Sequence, residues 1–474
     1  MYMSRSHLFL AIFALTFVAN TALASSPVPI DDKQQHAAKS LEIYKTIVEI
    51  PTVAGRGNGQ TIVDYLSGEL TAAGFAAKDI QSIPVEGATA LVVRYPGVPN
   101  SSLRPILLLG HMDVVEALDE DWERAPFKLT EDDDFYYGRG TIDNKYGIAM
   151  LTSTFVRLKR QGFTPSRDLY LVFSGDEESS MKTTETLAYH TEQLANAEYA
   201  LNSDAGGGSL NSDGTPSSYN VQSAEKIYAT FELTVTNQGG HSSRPRPDNA
   251  IYDLAAALKG VQDFDFPTNS SVVTREYFKQ VSQRVEGDLG DAMLTFAANP
   301  KDPAAAKMLG DHPHYMTMVR TTCVPTMLAG GHAENALPQS ATATVNCRIF
   351  PGETIAGVQA QLESAVANEQ VEFKLLDPYP ESPTSEPRDD VMAAVRVAVD
   401  TISSGLPIIP YMSSGATDGM HFRMANIPTW GVSSAFMRGE DNFAHGLNER
   451  LPKKAFNDGL DFWTVLLKEL TTPN

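Results

Sequence analysis

The amino-acid sequence predicts an α/β fold: a mostly parallel, mixed sheet flanked by helices, with a smaller α+β domain inserted into it. Three observations support this prediction. Short apolar segments alternate with helix-like stretches in the first half of the chain, whereas the middle contains segments of alternating polarity. The chain has 474 residues, which is enough for two domains.

Continuous apolar segments predict the strands of the main sheet. Three of these segments, at 105–110, 168–175 and 199–204, end at a glycine or an acidic residue. A fourth segment lies near the C-terminus, at 427–432. Helix-like stretches at 147–160 and 183–195 lie between the first strands. Strands that alternate with helices in this way favour a parallel sheet that is buried on both faces.

Segments of alternating polarity predict the sheet of the inserted domain. Such alternation is typical of half-exposed antiparallel strands, which we expect at 227–236, 341–350 and 371–376. Helix-like stretches at 249–261 and 355–367 lie between these strands. Residues 264–318 have no clean period, and we interpret them as additional helices.

The two patterns define the expected domain boundaries. The main domain comprises residues 25–216 and 381–474, and residues 217–380 form the inserted domain. A segment rich in proline and serine at 379–387 is a plausible linker for the return to the main domain.

Residues 1–24 have the pattern of a secretory signal peptide. Arg5 supplies positive charge, residues 8–18 are almost continuously apolar, and small side chains at 22–24 favour cleavage before Ser25. The apolar segment is short for a membrane span, and a retained anchor is the alternative interpretation. We therefore expect an exported protein, secreted or periplasmic, without a membrane association after the signal is removed.

Charge and cysteine content restrict the partners and the chemistry. A formal net charge of -21 argues against nucleic acid and anionic membranes as partners, although a local cationic site can still bind an anionic small substrate. The chain has two cysteines, Cys323 and Cys347. Outside the cytosol such a pair can oxidise, and two buried, reduced thiols are the alternative.

Histidine and acidic side chains gather where the predicted strands end: His111, Asp113, Glu177, Glu178 and Asp204. Asp143 joins them from a glycine-rich loop that leads into a helix, and His445 joins them from the C-terminal segment. In an open α/β sheet, the carboxyl ends of the strands form the crevice where ligands bind. The sequence therefore predicts that these residues share one crevice.

Two imidazoles with several carboxylates form a ligand set that suits Zn²⁺, or Mn²⁺ or Co²⁺ as substitutes. Taken alone, each short acidic motif is more often a turn or a helix cap. Their combination, in order and at strand ends, favours a metal centre instead. A carboxylate that bridges two metal ions would give a hydrolytic pair.

Seven motifs give the sequence a specific resemblance: GHMDVV (110–115), GRGTIDNK (138–145), SGDEESS (174–180), NSDAGG (202–207), GGHSSRP (239–245), NALPQSATATVNCRIFPG (335–352) and the segment around His445. The chain resembles the di-zinc metallopeptidase family that includes glutamate carboxypeptidase, aminoacylase, acetylornithine deacetylase and succinyl-diaminopimelate desuccinylase. The resemblance covers nearly the whole mature chain. It implies a zinc-exopeptidase-like catalytic domain with a lid that also dimerises, and two Zn²⁺ ions per chain.

The resemblance also implies the ligands of both metal ions. His111, Asp143 and Asp204 would bind one ion. Asp143, Glu178 and His445 would bind the other, so that Asp143 bridges the pair.

Two further catalytic-domain roles follow from the same resemblance. Glu177 matches the general base, and Asp113 matches the carboxylate that orients His111. Family members also tend to have a cis peptide bond directly after the bridging aspartate, here between Asp143 and Asn144.

Four residues outside the metal shell match positions near the substrate. His241 resembles the residue that stabilises the tetrahedral oxyanion, often in the site of the partner subunit, which implies a homodimer. Asn335 and Arg348 resemble the residues that hold the terminal carboxylate of the substrate, a task that suits a guanidinium fork. Gly415 resembles a loop position whose backbone faces the substrate.

The predicted reaction is hydrolysis of an amide bond in a small substrate with a free carboxylate. Asp204 favours a carboxypeptidase or dipeptidase, because peptidases of the family tend to have aspartate at this position and deacylases glutamate. The alternative is an N-acyl-amino-acid deacylase. A non-catalytic, metal-dependent binding protein is a more remote alternative, which the presence of Glu177 disfavours.

Overall fold

The computed structural model describes residues 32–376 and 379–472, so the predicted signal peptide at 1–24 lies outside the described residues. The α-helices within these ranges are α1 (Asp32–Val48), α2 (Gly59–Ala72), α3 (Lys145–Arg160), α4 (Lys182–His190), α5 (Ala250–Asp263), α6 (Val272–Val281), α7 (Asp288–Ala298), α8 (Pro303–Asp311), α9 (Met316–Val319), α10 (Ile355–Val366), α11 (Asp389–Asp400), α12 (Gly419–Met424), α13 (Lys453–Gly459) and α14 (Phe462–Thr471). None of these helices is both long and apolar enough to cross a membrane.

The strands of the described chain are β1 (Ile80–Val85), β2 (Ala88–Tyr95), β3 (Ile106–His111), β4 (Thr130–Glu131), β5 (Phe135–Tyr137), β6 (Leu169–Ser174), β7 (Tyr199–Asn202), β8 (Gly207–Leu210), β9 (Pro216–Glu225), β10 (Ile227–Thr236), β11 (Gly240–His241), β12 (Thr322–Gly330), β13 (Ala336–Leu337), β14 (Ser340–Ile349), β15 (Val371–Leu376), β16 (Ile408–Ser413), β17 (Thr429–Gly431), β18 (Phe436–Met437) and β19 (Arg450–Pro452).

The large sheet has the strand order β1-β2-β6-β3-β7-β17-β9-β8-β18, and β16 pairs with β9. Its centre is parallel, because β3 runs parallel to both β6 and β7, and β17 runs parallel to β7. Antiparallel pairs lie toward the edges, where β1 meets β2 and β8 meets β9. The predicted fold class, a mostly parallel mixed sheet flanked by helices, is confirmed.

The apolar sequence of the central strands explains why helices cover both faces of this sheet. All six residues of β3 are buried. Ile106 and Leu108 contact a core that includes residues of α1, α3 and α14. Leu107 and Leu109 contact a second core on the opposite face, with residues of α4 and α12. Alternate side chains of one strand thus fill two cores, as a period of two requires.

The inserted domain, which we call the lid, contains a separate antiparallel sheet with the order β12-β14-β10-β15. Alternate residues of β10 are buried, and they pack with residues of α5 and α10 in a core of their own. Sequence analysis identified three of these strands but missed β12, which lies at the edge. Most of β12 is exposed, and the bulge after Pro325 disrupts its register, so it lacks the alternation that marks the others.

The boundary between the two sheets differs from the predicted one. We expected the lid to begin at residue 217, but β9 pairs with β8, β16 and β17 of the large sheet up to Glu225. One residue, Lys226, separates β9 from β10, so no turn signal marks the crossing in the sequence. The buried Lys226 side chain contacts the backbone carbonyls of Arg320 and Arg348 and so fixes this crossing.

Residues 264–318 form additional helices, as predicted. Helices α6, α7, α8 and α9 share a small core that includes Phe278, Phe296 and Leu309. This helical insertion packs through α6 against β16 of the large sheet.

Cys323 of β12 and Cys347 of β14 lie opposite each other in the register of the lid sheet and form a disulfide bond. The alternative of two reduced thiols is therefore wrong for this structure. The bond closes a loop with a sequence separation of 24 and ties the edge strand to the centre of the lid sheet.

Replacing both cysteines with serine should lower the free energy of unfolding by about 3 kcal/mol, because the loop regains its freedom in the unfolded chain. Urea denaturation without reductant measures the effect. Reductant should shift the unfolding midpoint of the wild type toward that of the variant and leave the variant unchanged. A double variant as stable as the oxidised wild type would contradict this account.

Candidate functional site

His111, at the end of β3, lies at the centre of the first candidate ligand group. Its Nε2 is 2.9 Å from Oδ1 of Asp143 and 3.4 Å from Oδ1 of Asp204. Asp143 lies two residues before the start of α3, and Asp204 follows β7, so three separate elements supply these side chains. One ligand atom from each residue lies within 4.8 Å of the others, which is close enough to share one metal ion.

His445 forms the second group with Glu178 and the same Asp143. Its Nε2 is 2.8 Å from Oε1 of Glu178 and 3.2 Å from Oδ2 of Asp143. Each oxygen of the Asp143 carboxylate therefore contacts a different imidazole. This is the arrangement that a bridging carboxylate between two metal ions requires.

A buried ion pair positions the two loops that meet at Asp143. Glu449 accepts hydrogen bonds from the backbone N–H groups of Gly140, Ile142 and Asp143 at 3.1, 2.9 and 3.2 Å. Arg139 donates to Glu449 at 2.7 Å and to the backbone carbonyl of His445 at 3.3 Å. The peptide bond between Asp143 and Asn144 is cis, as the family resemblance implied.

Asp113 contacts both His111 and the glutamate pair. Its backbone carbonyl is 3.0 Å from Nδ1 of His111, while its carboxylate lies 3.6 Å from that atom. The carboxylate instead accepts hydrogen bonds from the backbone N–H groups of Glu177 and Glu178, at 3.1 and 3.0 Å. Asp113 thus fixes the loop of the glutamate pair, which the sequence analysis did not foresee.

Burial, hydrogen bonds and neighbouring charges shift the pKa values of the groups at this site. Burial raises the pKa of Asp204 to about 8, and the nearby charge of Asp143 adds to this effect. Burial also raises the pKa of Glu177 well above its usual value. Burial would raise the pKa of Asp143 too, but hydrogen bonds from His111 and His445 lower it below its usual range. Hydrogen bonds to two carboxylates raise the pKa of His445 to about 10.

The donor set fits divalent metal ions. Each group offers one imidazole nitrogen and carboxylate oxygens, a combination that Zn²⁺ accepts and that Mn²⁺ and Co²⁺ also tolerate. Four carboxyl groups face two imidazoles here, so bound cations would balance charge that burial makes unfavourable. The residues present therefore fit a pair of metal ions.

Two predicted substrate-binding positions meet at the boundary between the lid and the large sheet. Nη1 of Arg348, on β14, donates to the carbonyl of Ser414 at 3.1 Å. The guanidinium carbon also lies 4.7 Å from the ring centroid of Tyr228, and no carboxylate among the described residues forms an ion pair with Arg348. Gly415 follows in the same loop, where its N–H donates to Oγ of Ser413 at 3.0 Å.

His241 and Asn335 lie together on a two-stranded ribbon of the lid. β11 pairs with β13, and the N–H of Ser242 donates to the carbonyl of Asn335 at 3.1 Å. Nδ1 of the exposed His241 accepts hydrogen bonds from Ser243. Within the described residues, no hydrogen bond or ion pair joins His241 to the metal-site groups, so the structure does not bring them together in one chain.

A cavity of about 660 Å³ opens beside Asp143 and Asp204. Its walls include Thr417 of the large-sheet domain and Tyr277 of α6. Sequence analysis missed the contribution of α6, because the insertion has no readable motif. It also missed the pair Arg139–Glu449, whose members are 310 residues apart and carry no local signal.

Comparison with known proteins agrees with the geometry. The profile of "Peptidase family M20/M25/M40" matches residues 107–469. The N-fatty-acyl-amino acid synthase/hydrolase PM20D1 of Xenopus tropicalis is 30% identical over 387 residues, which cover 79% of this chain and 74% of the relative. Aminoacylase-1 of Mus musculus is 27% identical over 450 residues, which cover 93% of this chain and 97% of the relative.

Solved structures share the fold. The M20 family metallo-carboxypeptidase Sso-CP2 from Sulfolobus solfataricus has a TM-score of 0.66 and 18% identity, and the match covers 90% of this chain and 99% of that one. The resemblance inferred from the sequence motifs is thus confirmed. With its profile match spanning most of its length, this chain belongs to the peptidase family M20/M25/M40.

Proposed function

We propose that this hydrolase cleaves the amide bond of N-acyl amino acids, using two metal ions. The observation that carries the proposal is the convergence of two histidine–carboxylate groups on Asp143 at the edge of a cavity of about 660 Å³. Relatives named for N-fatty-acyl amino acids and for aminoacylase support this substrate class.

The metal ligands in this proposal are the five side chains of the two groups. His111, Asp143 and Asp204 hold one Zn²⁺, and Asp143, Glu178 and His445 hold the other, with Mn²⁺ or Co²⁺ as possible substitutes. When bound, such ions supply Lewis acidity for an amide carbonyl and for a water molecule.

The remaining chemistry belongs to side chains around this pair. The backbone N–H of Glu177 donates to the carboxylate of Asp113, which positions Glu177. The Glu177 carboxylate takes a proton from water and then passes this proton to the leaving nitrogen. Arg348 and the backbone at Gly415 hold the free carboxylate of the substrate, and Asn335, on the same ribbon as His241, contributes to this site from a partner subunit. His241 donates to the developing oxyanion from a partner subunit.

A peptide substrate is the second candidate, so that the enzyme would be a carboxypeptidase or a dipeptidase. The observation in its favour is Asp204, since the sequence analysis associated aspartate at this position with peptidases. A dipeptide and an N-acyl amino acid offer the same amide bond next to the same carboxylate. The group on the other side of the scissile bond therefore distinguishes the two classes: it is an amino-acid residue in a dipeptide and an acyl chain in an N-acyl amino acid.

A hydrolysis assay of the purified protein tests both candidates. We expect kcat/KM for N-octanoyl-leucine to exceed that for alanyl-leucine by at least about tenfold, because burial of each additional methylene contributes about 0.8 kcal/mol. Chelation should abolish both activities, and added Zn²⁺ should restore them. Faster cleavage of the dipeptide would favour the peptidase, and full activity of the chelated protein would exclude the metal mechanism.

The adjacent glutamates should behave differently when each is replaced. Glu178→Gln removes a carboxylate that contacts His445 and should lower the metal content, whereas Glu177→Gln should keep it and lose several orders of magnitude in kcat. Metal analysis after dialysis, combined with kinetics, separates the two effects. Equal loss of metal in both variants would show that the proposed division of roles is wrong.

We also propose that the protein is exported, to the periplasm or the exterior. The signal-like residues 1–24 and the disulfide between Cys323 and Cys347 support this location, because disulfides persist mainly in oxidising compartments.

Finally, we propose a homodimer formed through the lid. The edge strand β12 exposes apolar side chains, with Val324, Met327 and Leu328 at 56%, 68% and 70% exposure. An apolar strand edge of this kind favours pairing with another strand, and a second copy of β12 is complementary to it. The helical insertion at 264–318 does not cover this strand, since it packs against β16 instead.

The dimer predicts complementation between two inactive variants. A mixture of His241→Ala and Glu177→Ala chains should regain up to about a quarter of wild-type activity if chains pair at random. Each mixed dimer would contain one site with an intact Glu177 and the partner's His241. Asp143→Ala mixed with Glu177→Ala is the matched control, because both changes damage the same domain and should give no recovery. No recovery in the first mixture, despite measured subunit exchange, would place His241 outside the partner's site.

A further inference from the structure

We infer that one face of the helical insertion is the wall of the acyl-binding subsite, and that it selects long apolar acyl groups. This face consists of Tyr277 and Val281 of α6 and of Arg284 in the turn that follows. The inference rests on the proposed hydrolysis of N-acyl amino acids and adds the residues that recognise the acyl group.

The first step is the position of the face. Tyr277, Val281 and Arg284 line the same cavity as Asp143 and Asp204. The cavity volume of about 660 Å³ falls in the range of roughly 300–1,000 Å³ that is usual for sites of small organic ligands. An acetyl group would leave most of this space empty, so the cavity suits a larger group.

Helix α6 packs in the core of the insertion, and Tyr277 and Val281 lie at the edge of that core as well as on the cavity wall. Spacings of four and three residues place the three side chains on one side of a helical turn. Phe278 points away and packs in the core of the insertion, with its ring 5.5 Å from that of Phe296. At the start of α6, Ser271 and Thr274 form reciprocal capping hydrogen bonds. The orientation of the face is therefore set by the insertion's own core.

The wall belongs to the same chain as the metal ligands beside it. Arg284 donates a hydrogen bond to the backbone carbonyl of Ser217 in β9, and α6 packs against β16. Both strands belong to the large sheet. The acyl wall consequently acts within one subunit, in contrast to the role proposed for His241.

The lining indicates the chemistry of the group that fits. Apart from Asp143 and Asp204, the lining residues include no acidic side chain, so a cationic substituent would lack a counter-charge. Apolar side chains line the cavity on the side of α6, where Val281 lies, and on the side of the large sheet, where Ile409 and Met437 lie. Two cationic side chains, Arg284 and Arg438, and several hydroxyl and amide side chains also line the cavity. The apolar strip formed by Tyr277 and Val281 is therefore the part of the wall that an uncharged apolar chain would contact.

A series of N-acyl-leucines from acetyl to octanoyl tests the inference. In the wild type, kcat/KM should rise at least about tenfold along the series, since each buried methylene contributes up to about fourfold. Val281→Phe fills the cavity and should lower the octanoyl-to-acetyl ratio of kcat/KM at least about tenfold, mainly through KM. Tyr277→Ala should also reduce this ratio, because it removes an aromatic surface from the wall.

Lys279→Ala is the matched control, because Lys279 lies on the same helix but pairs with Glu276 at the exposed surface. It should keep the wild-type ratio. Calorimetric titration of chelated protein with N-octanoyl-leucine gives a readout independent of turnover, and Val281→Phe and Tyr277→Ala should weaken this binding at least fivefold.

The outcomes separate the inference from the proposed function. A wild type that cleaves N-acyl-leucines, with a ratio that neither Val281→Phe nor Tyr277→Ala changes, would overturn the acyl wall alone. A wild type that cleaves no N-acyl-leucine would overturn both. Circular dichroism checks that each variant folds, and either folded variant suffices for the decision.

Discussion

The buried ion pair between Arg139 and Glu449 is the interaction on which the site depends. Glu449 accepts three backbone hydrogen bonds from the loop of Asp143, and Arg139 holds the carbonyl of His445. Both side chains are almost wholly buried, and breaking such a pair costs about 3–5 kcal/mol because a charge is left without a partner. One pair thus connects two loops, from distant parts of the chain, that each deliver a candidate ligand.

This support is needed because the site brings like charges together. Asp143, Glu178 and Asp204 would repel one another in a region of low dielectric, and burial together with the charge of Asp143 raises the pKa of Asp204. The imidazoles of His111 and His445, which contact these carboxylates, offset part of the cost. Metal ions would offset the remainder, which explains why such a cluster can persist in a folded protein.

The sequence predicted those parts of the structure that carry a strong local signal. β3 and β6 are buried on both faces, so their apolar sequences identified them, and the ligand residues follow directly at strand ends. β12 was missed because an exposed edge strand lacks alternation, and the lid boundary was misplaced because Lys226 alone separates β9 from β10. The pair Arg139–Glu449 could not be predicted, since only the tertiary fold brings its members together.

In the proposed enzyme, the helical insertion and the lid ribbon would complete one site in two different ways. Helix α6 packs against the sheet of its own chain, so any effect it has on the cavity is independent of the oligomeric state. Within the described residues, the hydrogen bonds of His241 are local, so the oxyanion role proposed for it would require a second subunit. Because the insertion packs against β16 and leaves β12 exposed, the packing of the insertion and the proposed pairing through β12 use different surfaces. An insertion can therefore line the cavity of this fold while the strand edge proposed for subunit pairing stays exposed.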